Sequence, residues 1–148
     1  MRDIDTISVA LTAAETGHLV LSTLHTLGAA KTVDRIIDVF MPYQQAQVRS
    51  QLSTVLQGIV SQQLVRRADN SGRIAATEIM LITPAISNMI REARTVQINS
   101  SIHTGSDFGM HSMDASLAQL YKDRIITLET AKEHAVDPAA LNKLVTIG

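Results

Sequence analysis

Seven residues after Gly17 limit what this chain can fold into. The run His18-Leu-Val-Leu-Ser-Thr-Leu24 is short, dense in Leu and Val, and bounded by Gly17 and Gly28. A run that apolar on both faces reads as a buried strand of the parallel type. The pattern changes on either side of it. Before it, Ile4, Ile7, Leu11 and Ala14 recur at three- and four-residue spacing, which predicts a helix over 4–15 that Gly17 can end. After it, Val33, Ile36, Ile37 and Phe40 give a second helix over 28–39, which Pro42 interrupts. A switch from helical period to strand and back predicts an α/β fold.

Downstream, Val48, Leu52, Val55, Leu56 and Ile59 form the stripe of a helix starting near Tyr43. Strands are expected over 62–67 and 74–82, joined at Asn70-Ser71-Gly72 as a hairpin. The remainder reads helical. Thr83-Pro84 and Asp137-Pro138 each pair a capping side chain with proline at the first helical position, and Thr127 can cap a helix through Ala135. Shorter helices are expected over 85–94, 95–102 and 113–121, with a loop over 105–110. Residues 1–82 thus form an α/β part and residues 83–148 a helical subdomain.

Composition excludes several function classes. Hydrophobic residues make up 45% of the chain and charged residues 18%, which describes a folded chain rather than a disordered tail. The net charge of -1 provides no global field to recruit nucleic acid, and aromatic residues at 3% cannot line a base-stacking groove. The absence of cysteine rules out disulfides and thiolate metal sites. No apolar run approaches the ~20 residues that span a bilayer. A chain of the cytosol is the expectation.

The chemistry-bearing residues are few. His18 and His25 flank the expected strand, and a strand period of two places them on opposite faces, so no joint metal site is expected. His25 falls at the carboxyl edge, where open α/β sheets bind ligands. There it either contacts a phosphate oxygen or hydrogen-bonds a loop carbonyl. Asp3 or Asp5 can cap the first helix, and Arg2 reads as a terminal charge. Arg66, Arg67, Arg91 and Arg94 are basic spots, either solvated or in contact with a partner or phosphate. Glu15 and Glu78 are isolated carboxylates, and His103, His111 and His134 have no ligand spacing. No GxxxxGK[ST] phosphate loop occurs in the 148 residues.

The run MRDIDTISVALTAAETGHLVLSTLHT resembles the centre of the secretion and pilus ATPases. Met1-Arg2-Asp3 resembles the end of their Walker B strand, and His18 and His25 match the two histidines of their histidine box. KTVDRIIDVF (31–40) is similar to the helix after that box. AISNMIRE (85–92) resembles the AIRNLIRE segment of the type IV pilus retraction subclass, with Ser87 in place of arginine and Met89 in place of leucine. SSIHTGSDFGMHSMDASLAQLY is similar to the same subclass.

The resemblance implies the C-terminal half of a RecA-like core followed by the helical subdomain. It implies a parent that binds ATP and Mg, assembles as a homo-hexamer and powers pilus retraction and twitching motility. Partners would include the pilus inner-membrane platform protein, with peripheral membrane association through partners only, at the inner face of the plasma membrane. Arg2, Asp3 and His25 would be catalytic, and His18 and His25 would contact the nucleotide. The glutamate and phosphate loop of the family would precede Met1, so this chain alone is expected to bind no ATP tightly and to be inactive. The strands beside HLVLSTL would also lie upstream, leaving apolar surface exposed. Two alternatives stand beside this: a non-enzymatic module that joins intact subunits, and a piece of a type II secretion or pilus assembly ATPase.

Overall fold

A computed structural model describes residues 3–146. The elements run α1 (Ile4–Glu15), α2 (Ala29–Asp38), α3 (Pro42–Val55), β1 (Gly58–Arg66), β2 (Arg73–Leu81), α4 (Pro84–Arg91), α5 (Ile98–Thr104), α6 (Met113–Lys122), α7 (Leu128–His134) and α8 (Pro138–Thr146). Single 3-10 turns lie at Thr95–Gln97 and Ser106–Phe108. The chain packs as two compact units. One extends through Ile59 and takes up Leu81–Ser101; the other comprises Val60–Met80 and the chain from Ile102 onward.

The first unit is built from helices. Ile7 and Leu11 of α1, Val33, Ile36 and Ile37 of α2, Val48 and Leu52 of α3, and Ile86 and Ile90 of α4 are all buried. These are the positions at helical spacing in each segment, so each apolar stripe becomes a packed face. α3 packs against α1, α2 and α4. Ser87 has a definite role here. Its hydroxyl donates to the Ser53 carbonyl at 2.6 Å, satisfying one of the last-turn carbonyls of α3 that no helical N–H reaches. The serine in the AISNMIRE segment therefore ties α4 to the end of α3.

The second unit centres on the hairpin. Arg67 N–H donates to the Gly72 carbonyl and Ile82 N–H to the Gln57 carbonyl, each at 3.0 Å, which fixes an antiparallel register around Asn70-Ser71-Gly72. Val65 and Ala76 point into a core with Met113, Leu117, Ala118, Ile126, Ala131 and Leu141. The edge of β2 bridges to His111 through Ile79. Two buried carboxylates organise the helices. Glu78 accepts from Met113 N–H at 3.4 Å, placing negative charge at the start of α6. Asp114 accepts from the N–H groups of Val136 (2.8 Å) and Asp137 (3.0 Å), fixing the chain between α7 and α8. Burial pushes the Asp114 carboxyl up, against the pull of those two N–H groups.

The α/β class holds, and helix α1 and the hairpin form where expected. One expectation is corrected. Residues 18–24 are not a buried parallel strand: the sheet has only β1 and β2, and Leu19 is 83% and Leu21 86% exposed. The pattern has the composition of a two-sided buried strand, but no neighbouring strand pairs with it among the described residues. β1 also starts at Gly58 rather than Gln62, and α4 ends at Arg91 rather than Arg94.

The core assignment makes a direct prediction. Leu117→Ala should cost about 2–5 kcal/mol of unfolding free energy in a denaturant titration, because it empties a fully buried site. Tyr43→Ala, on an 83% exposed side chain, should change it by less than about 0.5 kcal/mol. Equal effects would contradict the assignment.

Candidate functional site

The candidate residues bracket α1 and the segment after it. Asp3 is the N-cap of α1: its carboxylate accepts from Thr6 N–H at 2.8 Å. That backbone hydrogen bond holds the Asp3 carboxyl below its ordinary value. Asp3 is thus held in place, but by a capping bond that also explains it structurally. Arg2 lies outside the described residues.

The other end of α1 fixes His18. Gly17 adopts φ +90°, a conformation that favours glycine. Gly17 N–H donates to the Ala14 carbonyl and His18 N–H to the Ala13 carbonyl, both at 3.1 Å. These two bonds make a Schellman cap. The Thr16 hydroxyl donates its only hydrogen to the Ala13 carbonyl at 2.8 Å, so it must accept from His18 Nδ1 at 3.0 Å. This assigns the Nδ1–H form to the ring and leaves Nε2 as an acceptor while the ring is neutral. His18 is exposed.

His25 is exposed as well, at the far end of the unpaired segment. The chain just beyond it is pinned. The Thr32 hydroxyl donates to the Gly28 carbonyl at 2.8 Å, so the Thr26 hydroxyl is the donor in its 2.7 Å contact with Thr32. Gly28, at φ +91°, then opens α2 as its N-cap.

The candidates are not gathered at one point. α1, at 12 residues, is about 18 Å long and separates Asp3 from His18. Among the described residues no group of three or more histidine or acidic side chains is placed to hold a metal ion. Two of the remaining histidines have structural partners: His111 Nε2 meets Thr77 Oγ1 at 3.0 Å, and His134 Nδ1 meets Gln63 Oε1 at 3.0 Å, while His103 is exposed. Sequence reasoning missed Asp114, whose signal was its place in the first turn of α6. No helix among the described residues is long and apolar enough to cross a membrane.

An α/β chain with a hairpin, appended helices and two histidines bracketing an apolar segment defines a class. The chain belongs to the type II/IV secretion system protein family, whose model matches residues 1–132. Among curated relatives it is 51% identical over 138 residues to the type IV pilus retraction ATPase PilT of Pseudomonas aeruginosa, covering 93% of this chain and 40% of that protein. It is 49% identical over 142 residues to a twitching motility protein of Neisseria gonorrhoeae, covering 96% of this chain and 38% of that one. A crystal structure of the pilus retraction motor PilT with bound ADP superposes with a TM-score of 0.86 at 45% identity, over 97% of this chain and 40% of that one. The chain therefore spans about two fifths of the length of these relatives.

The cap on α1 predicts a pH dependence. The Asp3 value is depressed in the fold, so its contribution is present above the ordinary value of 3.8 and is lost as pH falls through the native value. The Thr6 amide resonance should shift with that titration, and Asp3→Ala should abolish the shift and fray the first turn of α1. A Thr6 amide that ignores both changes would contradict the cap.

Proposed function

We propose that this chain is the C-terminal part of an ATPase that powers type IV pilus retraction and twitching motility. The observation that carries this is 51% identity to a pilus retraction ATPase across 93% of the chain. In this reading residues 1–82 belong to the C-terminal part of a RecA-like core and residues 83–148 to the helical subdomain. Arg2, Asp3 and His25 serve catalysis, with His18 and His25 on the nucleotide side. The longer protein would act as a homo-hexamer at the cytoplasmic face of the inner membrane, held there through partners such as the pilus platform protein.

The residues present do not by themselves fit ATP and Mg. The 148 residues contain no phosphate loop, and Asp3 and His18 stand at opposite ends of α1. Nucleotide binding belongs, in this reading, to the longer protein, where the cradle for the phosphates comes from other segments. What this chain would add in this reading is His18, beside the cap of α1, and His25, beside the loop bonded to α2.

Two measurements test this together. The purified 148-residue chain should give no ATP turnover above a buffer control. The longer protein carrying these residues should hydrolyse ATP, and His25→Ala should lower its kcat by about 100-fold or more, the lower edge of what a lost polar contact to a developing charge costs. Turnover by the short chain, or an unchanged kcat in the variant, would overturn the assignment.

A further inference from the structure

The turn end of the β1–β2 hairpin carries positive charge that the fold leaves uncompensated. The antiparallel register set by Arg67–Gly72 and Gln57–Ile82 places Arg66 directly opposite Arg73. Directly opposed residues share a face with Cβ atoms about 4.5–5.5 Å apart, and like charges in that arrangement destabilise a hairpin. Both arginines are exposed. Among the described residues the salt bridges are Arg67–Asp69 and Arg94–Glu92, so neither Arg66 nor Arg73 has one.

A third arginine stands near the same turn. Ala68 N–H donates to the Ile125 carbonyl at 2.8 Å, which brings the residues after α6 against the hairpin turn. Arg124 stands there, exposed and without an ion pair, at φ +60°. That is the left-handed position where glycine ends helices without strain, yet arginine occupies it. Two carboxylates stand in the same stretches of chain. Asp69 accepts from Ser71 N–H (2.9 Å) and Ser71 hydroxyl (2.6 Å) and pairs with Arg67, and Asp123 accepts from Gln119 Nε2 at 2.9 Å.

We propose that Arg66, Arg73 and Arg124 form an oxyanion site that takes phosphate groups, at the turn end of the hairpin. Guanidinium forks match phosphate oxygens in pairs, and three of them around one anion relieve the repulsion that the register builds in. The phosphate can be free polyphosphate or the headgroup of an anionic lipid. The site goes beyond the proposed ATPase role, since it involves neither His18 nor His25.

The test uses the 148-residue chain in low-salt buffer, with inorganic triphosphate to about 10 mM in one arm and phosphatidylglycerol vesicles in the other. Amide resonances around residues 66–73 and 124 should shift with triphosphate, with vesicles, or with both, and the responding arm names the source. Arg66→Gln combined with Arg73→Gln, on exposed positions that leave the fold intact, should weaken binding at least about tenfold. Arg35→Gln, an exposed charge in the other unit, should leave it unchanged. Triphosphate carries no base, so the result is independent of whether the chain belongs to an ATPase. Binding in neither arm, undiminished binding by the double variant, or equal weakening by Arg35→Gln would overturn the site.

Discussion

Backbone hydrogen bonding at the two ends of residues 18–25 sets what the rest of the first unit can do. At one end, α1 closes with Gly17 and His18 returning their N–H groups to Ala14 and Ala13. At the other, Thr26 and Thr32 lock the chain onto the Gly28 carbonyl before α2 begins. Both histidines sit beside these anchored points. Between them run Leu19, Val20 and Leu21 with no strand alongside. The result is a segment held firmly at its ends whose Leu19 and Leu21 side chains stay exposed, with no strand paired to it among the described residues. A segment of this kind calls for a partner strand.

The packed helices explain how the ends stay fixed. α3 serves as the platform, touching α1, α2 and α4, and the Ser53 carbonyl in its last turn accepts from Ser87 of α4. That bond recasts the departure of AISNMIRE from the related segment. A serine at this place supplies a helix-to-helix hydrogen bond. In the second unit the hairpin and α6 play the same organising part, with Glu78 and Asp114 supplying acceptors to the N–H groups of Met113, Val136 and Asp137.

Much of this was legible in the sequence where local chemistry decides the outcome. α1 runs Ile4–Glu15 because Asp3 caps it and Gly17 ends it, and both signals are visible in the letters. Thr83-Pro84, Thr127 and Asp137-Pro138 open helices as their side chains predict. Where the signal is missing the boundaries drifted. α4 stops at Arg91 because Ala93 takes φ +58° and Arg94 N–H turns back to the Met89 carbonyl, a glycine-type ending written without glycine. The His18–Leu24 run departs from the expected strand for a different reason. Its composition encodes burial on both faces, but burial depends on residues the run does not contain. For the candidate site, His18 and His25 were legible in the sequence as the residues that flank the apolar run. It could not give the Thr16 contact that sets the tautomer of His18, since that depends on the geometry of the cap.

The most direct test of this account is amide hydrogen exchange at residues 19–24, measured in the 148-residue chain and in the longer protein of which it is proposed to be a part. The account predicts fast exchange in the short chain and slow exchange in the longer protein, as the segment gains strand neighbours. Slow exchange in the short chain, or fast exchange in both, would contradict it.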